Sequence, residues 1–311
     1  MWTRRRSRRS RTAGIGADRV GIVRRRPVVW WAVLLAGGGG LYLLLRDLPP
    51  PEDGDLRPRM GRPAGEEALC RRVPESADSE WAERMMAAAP ERPALLPAEG
   101  VARAVSLRCL LQAARLLAAR ADETGDGDVY GLLVRVGRRV QTEAQGITEW
   151  VVGQRIILSV LEAEGRRQRA GPERLLRELE GPSDPRASLA EAVRREYVRD
   201  VGLLEEVRRD MEGTPWPLRL TYRHGRTRRL LADLFRAMLR DLERGSVSEG
   251  ERAGWEARCE PRWPVGGVLN FSGRSLIGAL CPNWEAVLDR LRRQEAWMAR
   301  LRAEVAGGGR P

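Results

Sequence analysis

Five arginines crowd into eleven residues, Arg219, Arg223, Arg226, Arg228 and Arg229, with no acid among them and with Trp216 and Tyr222 alongside. Guanidinium forks at that density grip phosphates or carboxylates through paired N–H donors, so an anionic lipid or glycan is the ligand class they would take. A solvated face answered by acids elsewhere in the fold is the plainer reading of the same run. A second cluster is Asn270, Gly273 and Arg274 with Glu295; here Asn270 reads as a helix cap and Arg274 with Glu295 as a buried ion pair. Glu143, Glu149 and Glu295 are the carboxylates that a glycan-cleaving enzyme would need as acid and base.

Other chemistries are excluded by what the chain lacks. All 55 basic residues are arginine. Without lysine there is no phosphate-loop lysine, no Schiff base and no Ser-Lys dyad. His224 is the single histidine, which rules out a multi-histidine metal site, and no G-x-S-x-G nucleophile accompanies it, so a structural histidine is expected. No metal, cofactor or catalytic site is expected. The four cysteines, Cys70, Cys109, Cys259 and Cys281, allow three disulfide pairings; Cys259 with Cys281 and Cys70 with Cys109 are favoured, and buried free thiols are the alternative, because Cys109 and Cys281 follow Val105 and Ile277 by one helical turn.

The elements that must position these groups begin with a membrane anchor. Pro27 to Leu45 is an uncharged run of nineteen residues entered through Arg24-Arg25-Arg26. As a helix it spans about 28 Å, close to the hydrocarbon core of a bilayer. Residues 1–26 carry ten Arg and one Asp, whereas residues 46–65 carry four Arg and four acids. That bias keeps the N-terminus cytoplasmic. No small-residue cleavage site follows the run, so an uncleaved anchor is expected. Ala32, Ala36 and Gly40 form a small-residue stripe through which two spans would self-associate. The formal charge is +12, of which the first 26 residues contribute +9, leaving only +3 for the rest. Nucleic-acid binding is therefore not expected.

The domains expected are a cytoplasmic Arg-rich tail (1–26), a transmembrane helix (27–46), a Pro/Gly-rich stalk (47–66), an extracytoplasmic helical domain (67–306) and a disordered C-terminus (307–311). The helical domain is all-α, about nine helices packed as antiparallel hairpins, with irregular or β-like segments near 216–224 and 255–270. Asp78 caps a short helix to Met86, Pro97 opens a long one, and Asp122–Asp128 breaks it before the next, roughly 128–144. Ile147–Leu161 is the most apolar segment of this domain and too short to cross a membrane, so it is expected to be the buried central helix. That makes Glu149, Gln154 and Arg155 interior polar groups in need of partners. Ser188-Leu189-Ala190-Glu191 has the spacing of a capping box for a helix to about Met211. Two further helices follow, about 227–244 and 272–280. A last one begins at its cap Asn283 and carries Trp284, Val287, Leu288, Leu291, Met298 and Leu301 on one stripe.

Three segments, taken in order, carry a resemblance: Gly146-Ile147-Thr148-Glu149-Trp150-Val151-Val152-Gly153 after the long Leu107–Glu143 hairpin; Ser188–Glu196 with Arg226–Phe235; and Asn270–Leu276 with Cys281-Pro282 and Arg293–Ala296. Over about residues 100–300 the chain resembles an uncharacterised group of single-pass bacterial envelope proteins whose exported domain is all-helical. Longer members continue past the last helix into a Tyr-Pro-containing segment, where this chain has Gly307-Gly308-Gly309-Arg310-Pro311. The resemblance implies a bitopic protein of the inner membrane, with its bulk outside the cytoplasm and protein partners in the envelope, and it transfers no catalytic residue. The expected function is a membrane-anchored interaction or scaffold protein; a carboxylate enzyme and an arginine-patch binder of anionic lipid or glycan are the alternatives.

Overall fold

The computed structural model describes residues 48–59, 70, 72–74, 77–89, 92, 94–96, 100–167, 171–180, 184–215, 222–245, 259 and 270–307. Residues 1–46 and 47–311 form separate compact units. The expected span, the cytoplasmic tail and the Ala32, Ala36, Gly40 stripe lie outside the described residues, as do Arg219 and most of both segments expected to be irregular. Among the described residues no helix is long and apolar enough to cross a membrane. The regular elements described are all helical, so the expected all-α class holds.

After a 3-10 turn at Gly54–Leu56 come α1 (Ser79–Ala88), α2 (Gly100–Thr124), α3 (Gly127–Glu143) and α4 (Ile147–Arg167). They are followed by α5 (Pro172–Leu179), α6 (Pro185–Glu212), α7 (His224–Arg244), α8 (Phe271–Leu280) and α9 (Trp284–Ala306). Short polar side chains start several of them by accepting orphan backbone N–H groups. The Asp78 carboxylate accepts from the Trp81 amide at 2.8 Å, Asp126 from Asp128 at 2.9 Å, and Asn283 from Ala286 at 3.2 Å. Gly125 and Gly245 take φ of 80° and 75°, which end α2 and α7 without the Cβ penalty of a left-handed residue.

One expected start is corrected. The helix read from Ser188 begins three residues earlier, because Asp184 accepts from the Ala187 amide and Pro185 supplies a preset first-turn φ. Ser188 is thereby inside the helix, where its hydroxyl donates to the Pro185 carbonyl and accepts the indole N–H of Trp150 at 2.9 Å. Glu191 is released from capping altogether.

Two apolar cores share two helices. One core is built from α1, α2, α3, α5, the C-terminal part of α4 (Ile156, Ile157, Val160, Leu161) and the C-terminal part of α9 (Met298, Leu301). The other takes Leu56, α6, α7, the start of α4 (Ile147, Trp150), Ile277 of α8 and the start of α9 (Trp284, Val287, Leu288, Leu291). Between Trp150 and Ile156 on α4 lies Gln154, and between Leu291 and Met298 on α9 lies Gln294, both fully buried. Gln294 accepts from the side chain of Gln141 on α3 at 3.0 Å, and Gln141 in turn accepts from Arg138 at 2.9 Å. Amide and guanidinium groups thus form a layer where the two cores meet, and burial pushes the Arg138 pKa down.

Helices α3 and α4 fold back on each other about the turn at Ala144–Gly146, and two glycines set their separation. A Cβ on Gly137 would lie 2.8 Å from the Gly153 carbonyl oxygen and 2.7 Å from the Ile157 side chain; one on Gly153 would lie 2.6 Å from the Gly137 carbonyl oxygen. Backbone faces backbone, so neither contact is relieved by a rotamer change. Gly137→Ala and Gly153→Ala should each destabilise the domain by about 2–3 kcal/mol, read by chemical denaturation; an unchanged midpoint would mean that the helices can move apart freely.

Candidate functional site

The segment read as a free stalk is docked. Leu56 is fully buried among α6 and α7, and the residues around it bond to both helices. The Asp53 carboxylate accepts from Arg228 at 2.8 Å and from the Tyr197 hydroxyl at 3.1 Å. Asp55 accepts a bidentate pair from Arg236 at 2.9 and 3.0 Å, and the Arg59 amide donates to Glu191 at 3.0 Å. An apolar plug flanked by two carboxylates on two guanidiniums is a specific fastening, and it corrects the stalk boundary: residues 48–59 belong to the helical domain. Flexibility was expected from Pro, Gly and acids; Leu56 and the complementary charge of α7 override it.

That docking also answers the arginine run. Arg228 is committed to Asp53 and approaches Glu205 at 3.5 Å. Arg229 donates from Nε to the Pro49 carbonyl at 3.1 Å. The Arg223 amide donates to Asn270 at 2.8 Å, while its Nε and Nη2 are buried. Arg226 is half-buried, and Arg219 lies outside the described residues. The run is therefore not five converging cations: at least Arg228 and Arg229 fasten the N-terminal segment. His224 sits between Tyr222, whose hydroxyl is 3.2 Å from Nδ1, and Glu205, 3.0 Å from Nε2.

The second cluster is rearranged. Asn270 occupies the N-cap position of α8 but makes no side-chain bond to that helix. Its carbonyl oxygen instead accepts from the Arg223 amide and, at 3.2 Å, from Thr227 of α7. A Cβ on Gly273 would meet Thr227 at 2.0 Å, so α8 crosses α7 there with room for hydrogen only. Glu295 does not pair with Arg274. It takes both forks of Arg186, which also donates to the Leu242 carbonyl at 3.1 Å, because that face of α9 turns toward the start of α6. Arg155 is exposed: buried Trp150, Gln154 and Ile157 define the inner face of α4, and position 155 points away from it. Gln154 is buried as expected, with neither polar atom of its amide hydrogen-bonded among the described residues.

The carboxylates considered for catalysis bond to arginines and backbone amides. Glu149 accepts from Arg103 twice at 2.6 Å and from the Gln145 amide at 2.5 Å. Glu143 accepts the Leu95 and Leu96 amides at 2.7 and 3.1 Å, and Arg139 at 2.8 Å. The unexpected carboxylate is Asp200. It is 2% exposed, its Oδ1 lies 3.4 Å from Arg199, and its Oδ2 has no hydrogen-bond partner among the described residues. Burial pushes its pKa up to about 7 against the pull of Arg199, with Glu196 adding repulsion. Asp53 moves the other way: the Arg228 hydrogen bond holds it below the usual carboxylate range. Beside the docked segment a cavity of about 440 Å³ is lined by Asp53, Arg57, Pro58, Tyr197, Val198, Val201 and Arg228. Burial raises the Tyr197 pKa to about 12, so its hydroxyl stays a donor to Asp53.

Tyr197 falls on the inward stripe that the sequence predicts for α6, whereas Asp53, Asp55 and Asp200 are not singled out by the sequence, though two signals existed. Acids concentrate at 47–55 opposite an arginine-rich 223–236, and Asp200 lies three residues after Tyr197 and four before Leu204, on the inward stripe of α6. The disulfides join Cys70 to Cys109, with Cα atoms 6.5 Å apart, and Cys259 to Cys281, at 5.8 Å, and leave no free cysteine. These are the two favoured pairs. Among the described residues no group of three His, Cys, Asp or Glu side chains could hold a metal ion. No family model, curated protein or solved structure matches the chain.

Two consequences are measurable. Because folded Asp200 holds its proton to about pH 7 and an unfolded one releases it near 3.8, the native state binds more protons between those values, so its contribution to stability falls as pH rises through them. Asp200→Asn should therefore raise stability at pH 8, by up to the order of 4 kcal/mol, and change little at pH 3.5 to 4; equal effects at both would remove Asp200 as the cause. Asp53→Asn combined with Asp55→Asn should cost about 1–3 kcal/mol and render residues 48–59 sensitive to limited proteolysis at a pH where the parent segment resists.

Proposed function

We propose that this chain is a single-pass, membrane-anchored interaction or scaffold protein of the bacterial cell envelope, with a cytoplasmic N-terminus and the helical domain on the far side of the inner membrane. The observation that carries the reading is the cysteine chemistry. All four cysteines lie beyond the apolar run 27–45, and all four are joined in disulfides, a usage that belongs to an oxidising compartment and is rare in the cytosol. The arginine bias before that run supports the same orientation independently.

A scaffold role is supported by how the polar groups are used. Glu143, Glu149 and Glu295, the carboxylates open to catalysis on sequence grounds, each hold helices together through arginines or backbone amides. Residues 48–59 are themselves docked on α6 and α7. This suits a body that presents a fixed surface to protein partners. Self-association through Ala32, Ala36 and Gly40 is part of the same proposal.

Topology and partnership are tested together. Protease added to spheroplasts should degrade the helical domain while sparing the N-terminal tail, and the domain should run faster on non-reducing gels than after reduction. Crosslinking of the full-length protein in native membranes should recover a reproducible envelope protein. A domain protected from protease until the membrane is lysed would overturn the placement, and recovery of the chain without any protein partner would overturn the scaffold role.

A further inference from the structure

The cavity beside the docked segment combines three chemistries. Pro58 of the segment and Val198 and Val201 of α6 give it an aliphatic lining. Val198 is 47% exposed, more than Leu48 or Leu203, so the fold leaves this lining open instead of covering it. Arg57 supplies a cation. Its side chain is exposed and makes no ion pair or hydrogen bond among the described residues, whereas Arg228 is bonded to Asp53 and Arg236 to Asp55. Asp53 supplies an acceptor: its Oδ2 takes the donors of both Arg228 and Tyr197, and its Oδ1 accepts no hydrogen bond among the described residues.

A ligand that answers all three carries an anion, an aliphatic group and an N–H donor close together. A phosphate dianion is disfavoured, because the Asp53 carboxylate lines the same cavity as Arg57. A carboxylate carries one charge and a planar pair of oxygens that matches a single guanidinium fork. A cationic ligand is opposed by Arg57 and Arg228. The last residue of a peptide chain unites the required features by covalent structure alone, since its α-carboxylate, its side chain and its amide nitrogen all leave one Cα. We infer that this cavity binds the C-terminal end of a peptide chain whose last residue is aliphatic. The carboxylate sits on Arg57, the side chain lies against Val198 and Val201, and the terminal amide N–H donates to Asp53 Oδ1. The volume of about 440 Å³ is at the small end of ligand sites and suits a chain end rather than a long segment. That the chain end belongs to a partner protein rests on the scaffold reading; the chemistry of the cavity does not.

The test uses the full-length protein and two peptides, Gly-Ser-Gly-Ser-Ala-Val with a free C-terminus and the same sequence amidated, read by saturation-transfer NMR with peptide in excess. The acid should bind with a dissociation constant of about 0.1–1 mM and the amide roughly tenfold more weakly. Arg57→Ala should weaken binding of the acid roughly tenfold and leave the amide unchanged. Val198→Glu should weaken both, because it sets a charge on the aliphatic lining. The Arg57 side chain has no bonded partner and Val198 is exposed, so thermal unfolding of both variants should match the parent and report a kept fold. Equal transfer to acid and amide in the parent protein, transfer to neither, or undiminished binding by Arg57→Ala would overturn the inference. If peptide binding fails while crosslinking in native membranes still recovers a partner, this site falls and the scaffold reading stands. Binding that depends on Arg57, with no partner recovered, would keep the site and overturn the scaffold reading.

Discussion

The backbone-to-backbone approach of Gly137 and Gly153 is the constraint from which the rest follows. With hydrogen in place of a side chain on each, α3 and α4 run near enough for one backbone to touch the other. Helix α4 can then occupy the centre, with its first turns in one apolar core and its later turns in the other. Helix α9 repeats the arrangement. Where these helices pass from one core to the next, the buried side chains change from hydrocarbon to amide: Gln154, Gln294 and Gln141, with Arg138 at the edge. A polar layer of this kind costs stability relative to hydrocarbon and restricts the sliding of one helix along another, since a shifted register would place amides against leucine.

Arginine is the second structural theme, and its use is geometric as much as electrostatic. Arg103 donates to the Glu143 carbonyl at 2.9 Å, Arg195 to the Ala144 carbonyl at 2.8 Å, and Arg139 to the Ala89 carbonyl at 2.9 Å. These carbonyls lie at the ends of α3 and α1, where the last turn lacks intrahelical donors. A cation from another helix satisfies them and opposes the negative end of the helix dipole. Arg103 and Arg139 bond a carboxylate with the same guanidinium that bonds the carbonyl, which a single ammonium would do with less directional control. A chain without lysine thereby turns its abundant cations into connectors between helices.

These two devices bear on the proposed function. The inter-helix arginines hold the helices together, and ion pairs fasten residues 48–59 to the surface of α6 and α7. Asp53 and Asp200 respond to pH in opposite senses, the first held ionised by Arg228 and the second held protonated by burial. Both lie on the α6–α7 side of the domain, so the stability of that side is balanced between acid, which weakens the docking of Asp53, and alkali, which charges Asp200.

Local patterns in the sequence determined the helices, because a helix needs only its own periodicity and its own caps: Asp78 and Asn283 cap where their positions before apolar stripes indicated, and all six stripe residues of α9 named from sequence are buried. Burial of Gln154 followed from the same periodicity, while Arg155, one residue on, turned outward by the same 100° rotation. Partnerships across long separations were decided by the tertiary structure. Glu295 chose Arg186 over Arg274, Asn270 served α7 instead of its own helix, and Asp53 became the distant acid that answers Arg228 of the arginine run. An arginine-rich chain offers each acid many partners of equal chemistry, and only the packing of Gly137 on Gly153 and of Leu56 between α6 and α7 brings one of them within bonding distance.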